Sequence, residues 1–307
     1  LMSFQIRECP LCEGQRFAPL LKARDFHYGN PGEYAMIQCT GCSLAFLDPM
    51  YDEAELFKFY PQDYYAFVDR FSASRPSRMR EAIRSLLGTA EHFTRDPEFE
   101  QPGRLLDVGC GSGWFLSKMR AQGWDVTGVE PSLAAAKLGQ SEQGLNIFPG
   151  SLLDANFRSK SFDYIRFNHS FEHMCDPNRV LAEVHRILAD NGKLMIGVPN
   201  RSSLNARLFG PLWWHLALPL HPFSYSTKTL SQMLRKHSFR VETVTFNTEG
   251  ASIQGSLQIF ANRKDKVLVT SGRLSRSRFL RMLCTWVAYL QNALHLADAI
   301  EITAVKK

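Results

Sequence analysis

The stretch that decides the fold is LLDVGCGSGW, residues 105–114, in which an apolar run enters a glycine-rich turn. Its glycines, Gly109, Gly111 and Gly113, follow the pattern G-x-G-x-G, whereas a dinucleotide-binding loop follows G-x-G-x-x-G. Asp107 ends the predicted strand, where an unpaired carboxylate would repel a pyrophosphate. The loop therefore predicts a ligand that carries positive charge and no phosphate.

S-adenosylmethionine (SAM) has these properties, because it carries an ammonium and a sulfonium group. Glu130 ends the next predicted strand, 21 residues after Gly109, where a carboxylate can accept hydrogen bonds from both ribose hydroxyls. Asp107, the three glycines and Glu130 in one strand–helix–strand unit together predict a SAM site. The alternative is that the glycines form only a tight strand-to-helix turn that Asp107 caps.

Strands alternate with helices beyond residue 101, which predicts a mostly parallel sheet covered on both faces. The predicted fold class is α/β, a Rossmann-like sheet with a small N-terminal zinc ribbon and a helical insertion before the last strand. The predicted strands are 104–109, 125–130, 145–148, 162–168, 193–199, 239–246 and 299–305. Ligands of such sheets bind at the carboxyl ends of the strands.

Four of the seven cysteines form two C-x2-C pairs, CPLC and CTGC, separated by 26 residues. Two such turns can bring four thiolates around a structural Zn²⁺ ion with no open position for water. The predicted zinc ligands are Cys9, Cys12, Cys39 and Cys42. A redox-active pair is the alternative, although a redox motif normally occurs once and opens a helix in a strand–helix–strand unit.

Five regions are predicted along the chain. They are a zinc-ribbon module (1–48), a helical linker or cofactor lid (49–100, helical from about Asp48), a SAM-binding domain (101–262) with a lid insertion at about 200–226, a basic helical insertion (263–298) and the final strand (299–307). The lid contains Trp213 and Trp214, which would cover an apolar or sugar-like acceptor or simply plug the core.

The charge of the chain is unevenly placed. Residues 263–307 hold nine Lys or Arg and three Asp or Glu, which matches the net charge of +6 for the whole chain, so the remainder is near neutral. This distribution argues against a general nucleic-acid-binding protein. The chain has no uninterrupted apolar stretch of membrane-spanning length and no signal-peptide pattern at its start, so we expect a cytoplasmic location.

The basic insertion contains FLRMLCTWVAYLQNALHLA, which has helical periodicity. Phe279, Leu283, Trp286, Leu290 and Leu294 share one face of this predicted helix. The helix would either contact a membrane surface, serving a lipid-linked substrate, or pack its apolar face on the domain or a second subunit. Packing is the favoured interpretation, because the insertion is tied to the core at both ends; the oligomeric state is left open.

The chain resembles the class I SAM-dependent methyltransferases, and more closely the bacterial subgroup with an N-terminal zinc ribbon that is common in sugar and surface-glycan pathways. The motifs that carry the resemblance are CPLC…CTGCSLAFLDP, FYPQDYY, LLDVGCGSGWFL, GVEPS, FDYIRFNHSFEHMCDP, NGKLMIGVPN and LPLHPFSYSTKTL. The resemblance covers nearly the whole chain and implies a methyltransferase.

The resemblance also implies cofactor contacts. Asp107, Gly109, Gly111 and Gly113 would line the methionine part of SAM, and Glu130 would bind its ribose. The remaining implied contacts are Ser151 and Leu152 beside the adenine, Asn168 and His169 beside the methyl group or ammonium, and Tyr65, with Tyr64, over the cofactor. Many relatives have Asp in place of Ser151, so Asp154 is a candidate substitute.

Three histidines are the candidate general bases. Methyl transfer to a hydroxyl needs an aligned nucleophile and a group that removes its proton, and histidine is the favoured base near neutral pH. His169 and His173 follow the fourth strand of the predicted sheet, where His173 forms the family's Glu-His pair with Glu172, and His221 lies in LPLHPFSYS. Each could equally be a structural histidine. Relatives often carry a second His where this chain has Ser224.

The predicted function is SAM-dependent methylation of a small-molecule acceptor, most plausibly an oxygen, or else a carbon, of a sugar or saccharide-linked substrate. Methylation of a quinone-like or phenolic acceptor is the first alternative, and it suits the Trp-rich lid. A non-catalytic SAM-binding or scaffold protein is the second, although the intact glycine loop argues against it.

Overall fold

The computed structural model describes residues 3–60, 97, 99, 101–264 and 272–307. Its strands are β1 (Ser3–Phe4), β2 (Phe17–Ala23), β3 (Tyr34–Cys39), β4 (Ala45–Asp48), β5 (Met50–Tyr51), β6 (Arg104–Val108), β7 (Asp125–Glu130), β8 (Asn146–Pro149), β9 (Phe162–Asn168), β10 (Leu188–Pro199), β11 (Phe223–Ser224), β12 (Phe239–Asn247) and β13 (Ala299–Lys306). Its α-helices are α1 (Glu53–Phe57), α2 (Trp114–Arg120), α3 (Leu133–Gln143), α4 (Pro177–Ile187), α5 (Leu204–Phe209), α6 (Thr227–Lys236), α7 (Gly250–Asn262), α8 (Arg273–Arg276) and α9 (Arg278–Ala293).

The central sheet has seven strands in the order β8–β7–β6–β9–β10–β13–β12. Strands β6 to β10 run parallel, and β13 lies antiparallel between β10 and β12. The sheet begins at its centre with β6, extends to β7 and β8 on one side, and then continues with β9 and β10 on the other. The switch point between β6 and β9 therefore places the loops after both strands at one edge, and the predicted fold class is confirmed.

Helix α4 illustrates how the sequence fixes the elements that cover the sheet. The Asp176 carboxylate accepts a hydrogen bond from the Arg179 amide at 3.1 Å, and Pro177 occupies the first helical position, where its missing N–H costs nothing. Val180 and Val184 recur one helical turn apart, and both are buried in the same apolar core as Ile165 of β9. The cap and the apolar spacing together set where the helix starts and which face it buries.

The N-terminal module is joined to the sheet domain by a shared core and a shared small sheet. A second sheet has the order β11–β4–β3–β2, so a strand of the predicted lid pairs with the module. Phe223 lies opposite Phe46 in this pairing, and the Leu47 amide donates to the Pro222 carbonyl at 2.8 Å. Phe46 and Phe223 also belong to the core that contains Ile165.

The prediction that the chain is helical from about Asp48 is wrong at its start. Asp48 ends β4, and β5 follows at Met50–Tyr51 before the short helix α1 begins. Strand pairing with β3 buries the apolar residues of β4, and this tertiary contact outweighs local helix propensity. The predicted second helix, SRMREAIRSLLGTAEHF, lies outside the described residues.

The insertion between β12 and β13 contains α7, α8 and α9, of which α7 was not predicted. The predicted helix over the FLRMLCTWVAYLQ stretch is present as α9. Among the described helices, none combines the length and the apolarity that crossing a membrane requires.

Candidate functional site

The glycine loop after β6 needs glycine for steric reasons. Gly109, Gly111 and Gly113 all have positive φ, at 77°, 57° and 84°. A Cβ on Gly109 would lie 2.5 Å from the Cβ of Ser170, and one on Gly113 would lie 2.3 Å from Leu145 Cδ1. The loop therefore packs closely against Ser170 after β9 and against Leu145 before β8, and a side chain at either glycine would displace its neighbour.

Glu130 connects the ends of β6 and β7. Its carboxylate is buried and accepts hydrogen bonds from the backbone amides of Gly111 and Ser132, both at 2.8 Å. Burial raises the pKa of Glu130, and the two amides oppose that shift. A carboxylate held in this way has further lone pairs with which to accept ribose hydroxyls.

Asp107 is paired within the protein. Its two carboxylate oxygens lie 2.8 and 2.9 Å from Nη1 of Arg166 on β9, and both side chains are buried. The Arg166 guanidinium also stacks on the Phe115 ring at 3.8 Å from its centroid. Burial raises the pKa of Asp107, while Arg166 lowers it. Asp107 is therefore not the unpaired carboxylate expected from the sequence, because Arg166 already balances its charge.

The adenine and methyl-side candidates lie at the same edge of the sheet. Ser151 donates a hydrogen bond to Asp154 at 2.6 Å, so a carboxylate does stand beside Ser151, while Leu152 is buried. The Asn168 Oδ1 atom at the end of β9 is buried, and no described residue donates a hydrogen bond to it. Tyr64 and Tyr65 lie outside the described residues.

Glu172 is a buried carboxylate whose oxygens receive no hydrogen bond from the described residues. The His169 ring lies beside it, with Nδ1 3.4 Å from Glu172 Oε1. Burial alone raises the pKa of Glu172, but the neighbouring imidazoles, His169 first, outweigh it and lower that pKa to about 2. Burial lowers the pKa of His169 and Glu172 more than compensates, so the His169 pKa lies above its usual value.

His173 and His221 are oriented by backbone carbonyls. His173 Nδ1 lies 2.8 Å from the Leu220 carbonyl oxygen, and His221 Nδ1 lies 2.9 Å from the His215 carbonyl oxygen. A carbonyl can only accept, so each Nδ1 carries a proton and each Nε2 presents a lone pair in the neutral ring. The two rings meet edge to face at 4.6 Å between centroids.

Burial lowers the pKa of His173, and it lowers the pKa of His221 much further. Both rings are therefore neutral at pH 7 and able to accept a proton. One ligand atom each from Glu172, His173 and His221 lies within 4.8 Å of the other two, a spacing that a divalent metal ion could also bridge. The arrangement can serve either proton transfer or metal binding.

Several residues of this site were missed by sequence reasoning. His215 stacks parallel to His169 at 6.1 Å, Tyr60 Oη lies 2.7 Å from His173 Nδ1, and the buried Tyr225 hydroxyl has no described hydrogen-bond partner. Arg166, which pairs with Asp107, was missed as well. His215 stands in the predicted lid and could have been singled out there. Tyr60, Arg166 and Tyr225 lie within the quoted motifs FYPQDYY, FDYIRFNHSFEHMCDP and LPLHPFSYSTKTL, but no role was predicted for them.

The tryptophans of the predicted lid pack into the protein, as the core-plug interpretation expects. Trp213 is buried and its Nε1–H donates to Asp298 at 2.9 Å, and the Trp214 ring packs against His27 at 4.6 Å. The histidines of the same segment, His215 and His221, instead lie against His169 and His173.

The four predicted zinc ligands converge. Their sulfur atoms all lie within 4.8 Å of one another, with Cys9–Cys42 and Cys12–Cys39 Sγ distances of 3.5 Å. A tetrahedral zinc site with Zn–S bonds of about 2.3 Å has sulfur–sulfur edges of about 3.8 Å. The two cysteine turns are also alike in backbone, because Glu13 and Ser43 have φ of 60° and 71° at matching positions. The donor set fits zinc.

A family model described as a methyltransferase domain matches residues 56–244. The match covers more than half of the chain, so the chain belongs to this family. The predicted resemblance to SAM-dependent methyltransferases is thereby confirmed at the level of the domain, while the sugar-pathway subgroup stays a prediction.

Curated relatives match part of the chain. It is 30% identical over 125 residues to the ubiquinone biosynthesis O-methyltransferase of Pseudomonas aeruginosa, covering 39% of this chain and 53% of the relative. It is 33% identical over 109 residues to the enzyme of the same name from Histophilus somni, covering 32% and 46%. The chain thus spans about half the length of the curated relatives it matches.

Among solved structures, the chain is similar to one from the complex between the Haloferax volcanii Trm112 methyltransferase activator and a methyltransferase. The TM-score is 0.51 at 16% identity, over 74% of this chain and 92% of the other. At this identity the likeness extends to the fold alone.

Proposed function

We propose that this protein transfers a methyl group from SAM to a hydroxyl of a phenolic or quinol-type acceptor. The observation that carries the proposal is the pair of histidines, His173 and His221, whose Nδ1 atoms are held by backbone carbonyls beside the buried Glu172 at the carboxyl edge of the sheet. The names of the curated relatives favour a ring hydroxyl over the saccharide acceptor predicted from the sequence.

The residues at the glycine loop fit SAM. Asn168 Oδ1 is a buried acceptor without a described hydrogen-bond donor, as a site for the SAM ammonium requires. The Glu130 carboxylate can accept ribose hydroxyls, and Leu152 supplies an apolar edge beside Ser151 and Asp154. When bound, SAM supplies a methyl carbon already activated by the sulfonium.

On the acceptor side of the site, a protein group removes the proton of the acceptor hydroxyl. As the acceptor oxygen forms its bond to the methyl carbon and the carbon–sulfur bond breaks, the hydroxyl proton passes to Nε2 of His221 or His173. The carbonyls of His215 and Leu220 hold the rings in the tautomer that can receive it. Ionised Glu172 stabilises the imidazolium that forms, because it is a buried negative charge next to both rings.

The proposal is tested by incubating the protein with SAM and each of a panel of acceptors and measuring the methylated product. The panel compares catechols and short-chain hydroquinones with nucleotide sugars, first with the unmodified protein and then with the His221→Asn and His173→Asn variants. We expect turnover with a ring hydroxyl and a loss of about 10²- to 10⁴-fold in kcat for the variant that removes the base. His185→Asn is the matched control, because His185 packs on Phe239 away from this site.

Three outcomes contradict the proposal. Turnover with nucleotide sugars alone would favour the saccharide acceptor predicted from the sequence. Tight SAM binding without turnover of any acceptor would favour a non-catalytic SAM-binding protein. Turnover that is abolished by a chelator while the ribbon keeps its zinc would assign Glu172, His173 and His221 to a metal ion instead of a base.

A further inference from the structure

Helix α9 presents its apolar face outward. Phe279, Trp286, Leu290 and Leu294 are between 65% and 67% exposed, and Met282 and Leu283 are 50% and 45% exposed. These six residues lie at positions i, i+3, i+4, i+7, i+11 and i+15 and form one stripe along the helix and its C-terminal cap, Leu294. The predicted packing of this face on the domain is therefore not seen among the described residues, which leaves a second subunit or a membrane surface as its partner.

The opposite face of α9 holds the helix in a fixed orientation. Cys284 and Ala288 are buried against Ile253 of α7. Gln291 and Asn205 exchange two hydrogen bonds, at 2.9 and 3.1 Å. Small and polar residues thus bind the domain while the large apolar ones point away from it. A stripe of this size that is left exposed marks an interaction surface.

The positively charged residues around the stripe indicate what kind of surface it binds. Arg273, Arg276 and Arg278 are exposed at the amino end of the stripe, and the sequence from Arg273 to Ala297 contains no Asp or Glu. A second copy of the helix would bring arginines and no carboxylate to pair with them. A surface of anionic lipid headgroups supplies both the missing negative charge and an apolar layer.

We propose that α9 docks this protein on a membrane surface that contains anionic phospholipid. The apolar stripe enters the boundary between headgroups and acyl chains, with Trp286 and Tyr289 at the depth that aromatic side chains favour, and the arginines contact phosphate groups. The inference does not depend on the acceptor or on SAM turnover.

The test is flotation of the full chain with vesicles of phosphatidylcholine alone or mixed with phosphatidylglycerol. We expect flotation with the anionic vesicles that weakens as salt is raised. Trp286→Glu and Leu290→Glu should each weaken it about tenfold or more, and Arg276→Gln with Arg278→Gln about fivefold per charge. Leu208→Glu is the matched control, because Leu208 is 69% exposed on α5.

All substituted side chains are exposed, so the melting temperature should stay unchanged in each variant. Failure to float with anionic vesicles would overturn the proposal. If the chain then proved to be a dimer that Leu290→Glu dissociates, the stripe would be the interface between two copies. Flotation that survives both glutamate variants would overturn the assignment to α9, and equal flotation with neutral vesicles would overturn the role of the arginines. Binding is measured without SAM or acceptor, so its failure is separate from that of the proposed function.

Discussion

Glu130 and Glu172 are both buried carboxylates at the carboxyl edge of the sheet, but their surroundings differ. Glu130 accepts hydrogen bonds from two backbone amides, while no described residue donates a hydrogen bond to Glu172, which faces imidazole rings. A buried charge without hydrogen bonds is costly, and such groups concentrate where a protein performs chemistry. In the proposed function, Glu130 belongs to the cofactor side of the site and is held by backbone amides, whereas Glu172 belongs to the acceptor side and faces side chains.

The largest effect is expected on the acceptor side. Glu172→Gln should lower kcat by about 10²- to 10⁴-fold and leave SAM affinity within about threefold of its value, because the charge acts on the proton acceptor alone. Single-turnover kinetics and calorimetric titration with SAM measure the two quantities. If SAM affinity fell as far as kcat, the two sides of the edge would not be separate.

The next effect concerns the support beneath the glycine loop. Asp107→Asn leaves the Arg166 guanidinium buried without its partner, which should lower the free energy of unfolding by about 3–5 kcal/mol. Adding Arg166→Met removes the stranded charge and should recover part of that loss. Denaturant unfolding of both variants measures the coupling; a double variant no more stable than Asp107→Asn would argue that the pair is not coupled.

A smaller effect is expected at Glu130. Glu130→Gln weakens the carboxylate acceptor offered to the ribose and to the Gly111 amide, so SAM should bind about 10- to 100-fold more weakly. At saturating SAM, kcat should change little, which is the reverse of the pattern expected for Glu172→Gln. Equal losses in kcat for both variants would remove the distinction between the two glutamates.

The smallest effect is a shift in pH dependence. Because burial lowers the pKa of His173 and His221, activity should persist below pH 6.5 and fall only as the base becomes protonated. His169 further lowers the pKa of His173, so His169→Gln should move the acidic limb of the kcat profile to higher pH. His185→Gln is the control, and a shift to lower pH would contradict the assignment.

The same lowered pKa values predict how stability depends on pH. An unfolded histidine takes up a proton near pH 6.5 while the half-buried His173, His215 and His221 do not, so their contribution to stability is present above pH 6.5 and is lost as pH falls toward the folded-state values. His169 has a raised pKa, so its contribution is present below pH 6.5 and is lost as pH rises through the folded value.

The parts of the site that the sequence predicted are those encoded by neighbouring residues. The cysteine turns, the glycine loop and Glu130 each occupy a short motif whose backbone geometry follows from residue type. Arg166 and Tyr225 were not predicted, because their roles depend on which strands become neighbours. Arg166 stands in an ordinary apolar strand and meets Asp107 only through the pairing of β6 with β9.

The orientation of α9 could not be read from periodicity either. The stripe predicts which residues share a face, but not whether that face is inside, because Cys284, Ala288 and Gln291 opposite it find partners on α7 and α5. The segment with Trp213 and Trp214 shows the same limit, since apolar residues alone do not distinguish a plug from a cover.

The pairing of β11 with β4 ties the acceptor-side histidines to the N-terminal module. That module holds both ends of the segment carrying His215 and His221, because His27 Nε2 lies 2.7 Å from the Trp214 carbonyl oxygen and the Leu47 amide bonds to Pro222. We therefore expect disorder in the N-terminal module to loosen the segment that carries His215 and His221. If the proposed function holds, removing a metal ion bound by the four thiolates should lower kcat before it lowers SAM affinity, because the loosened segment carries the proposed bases.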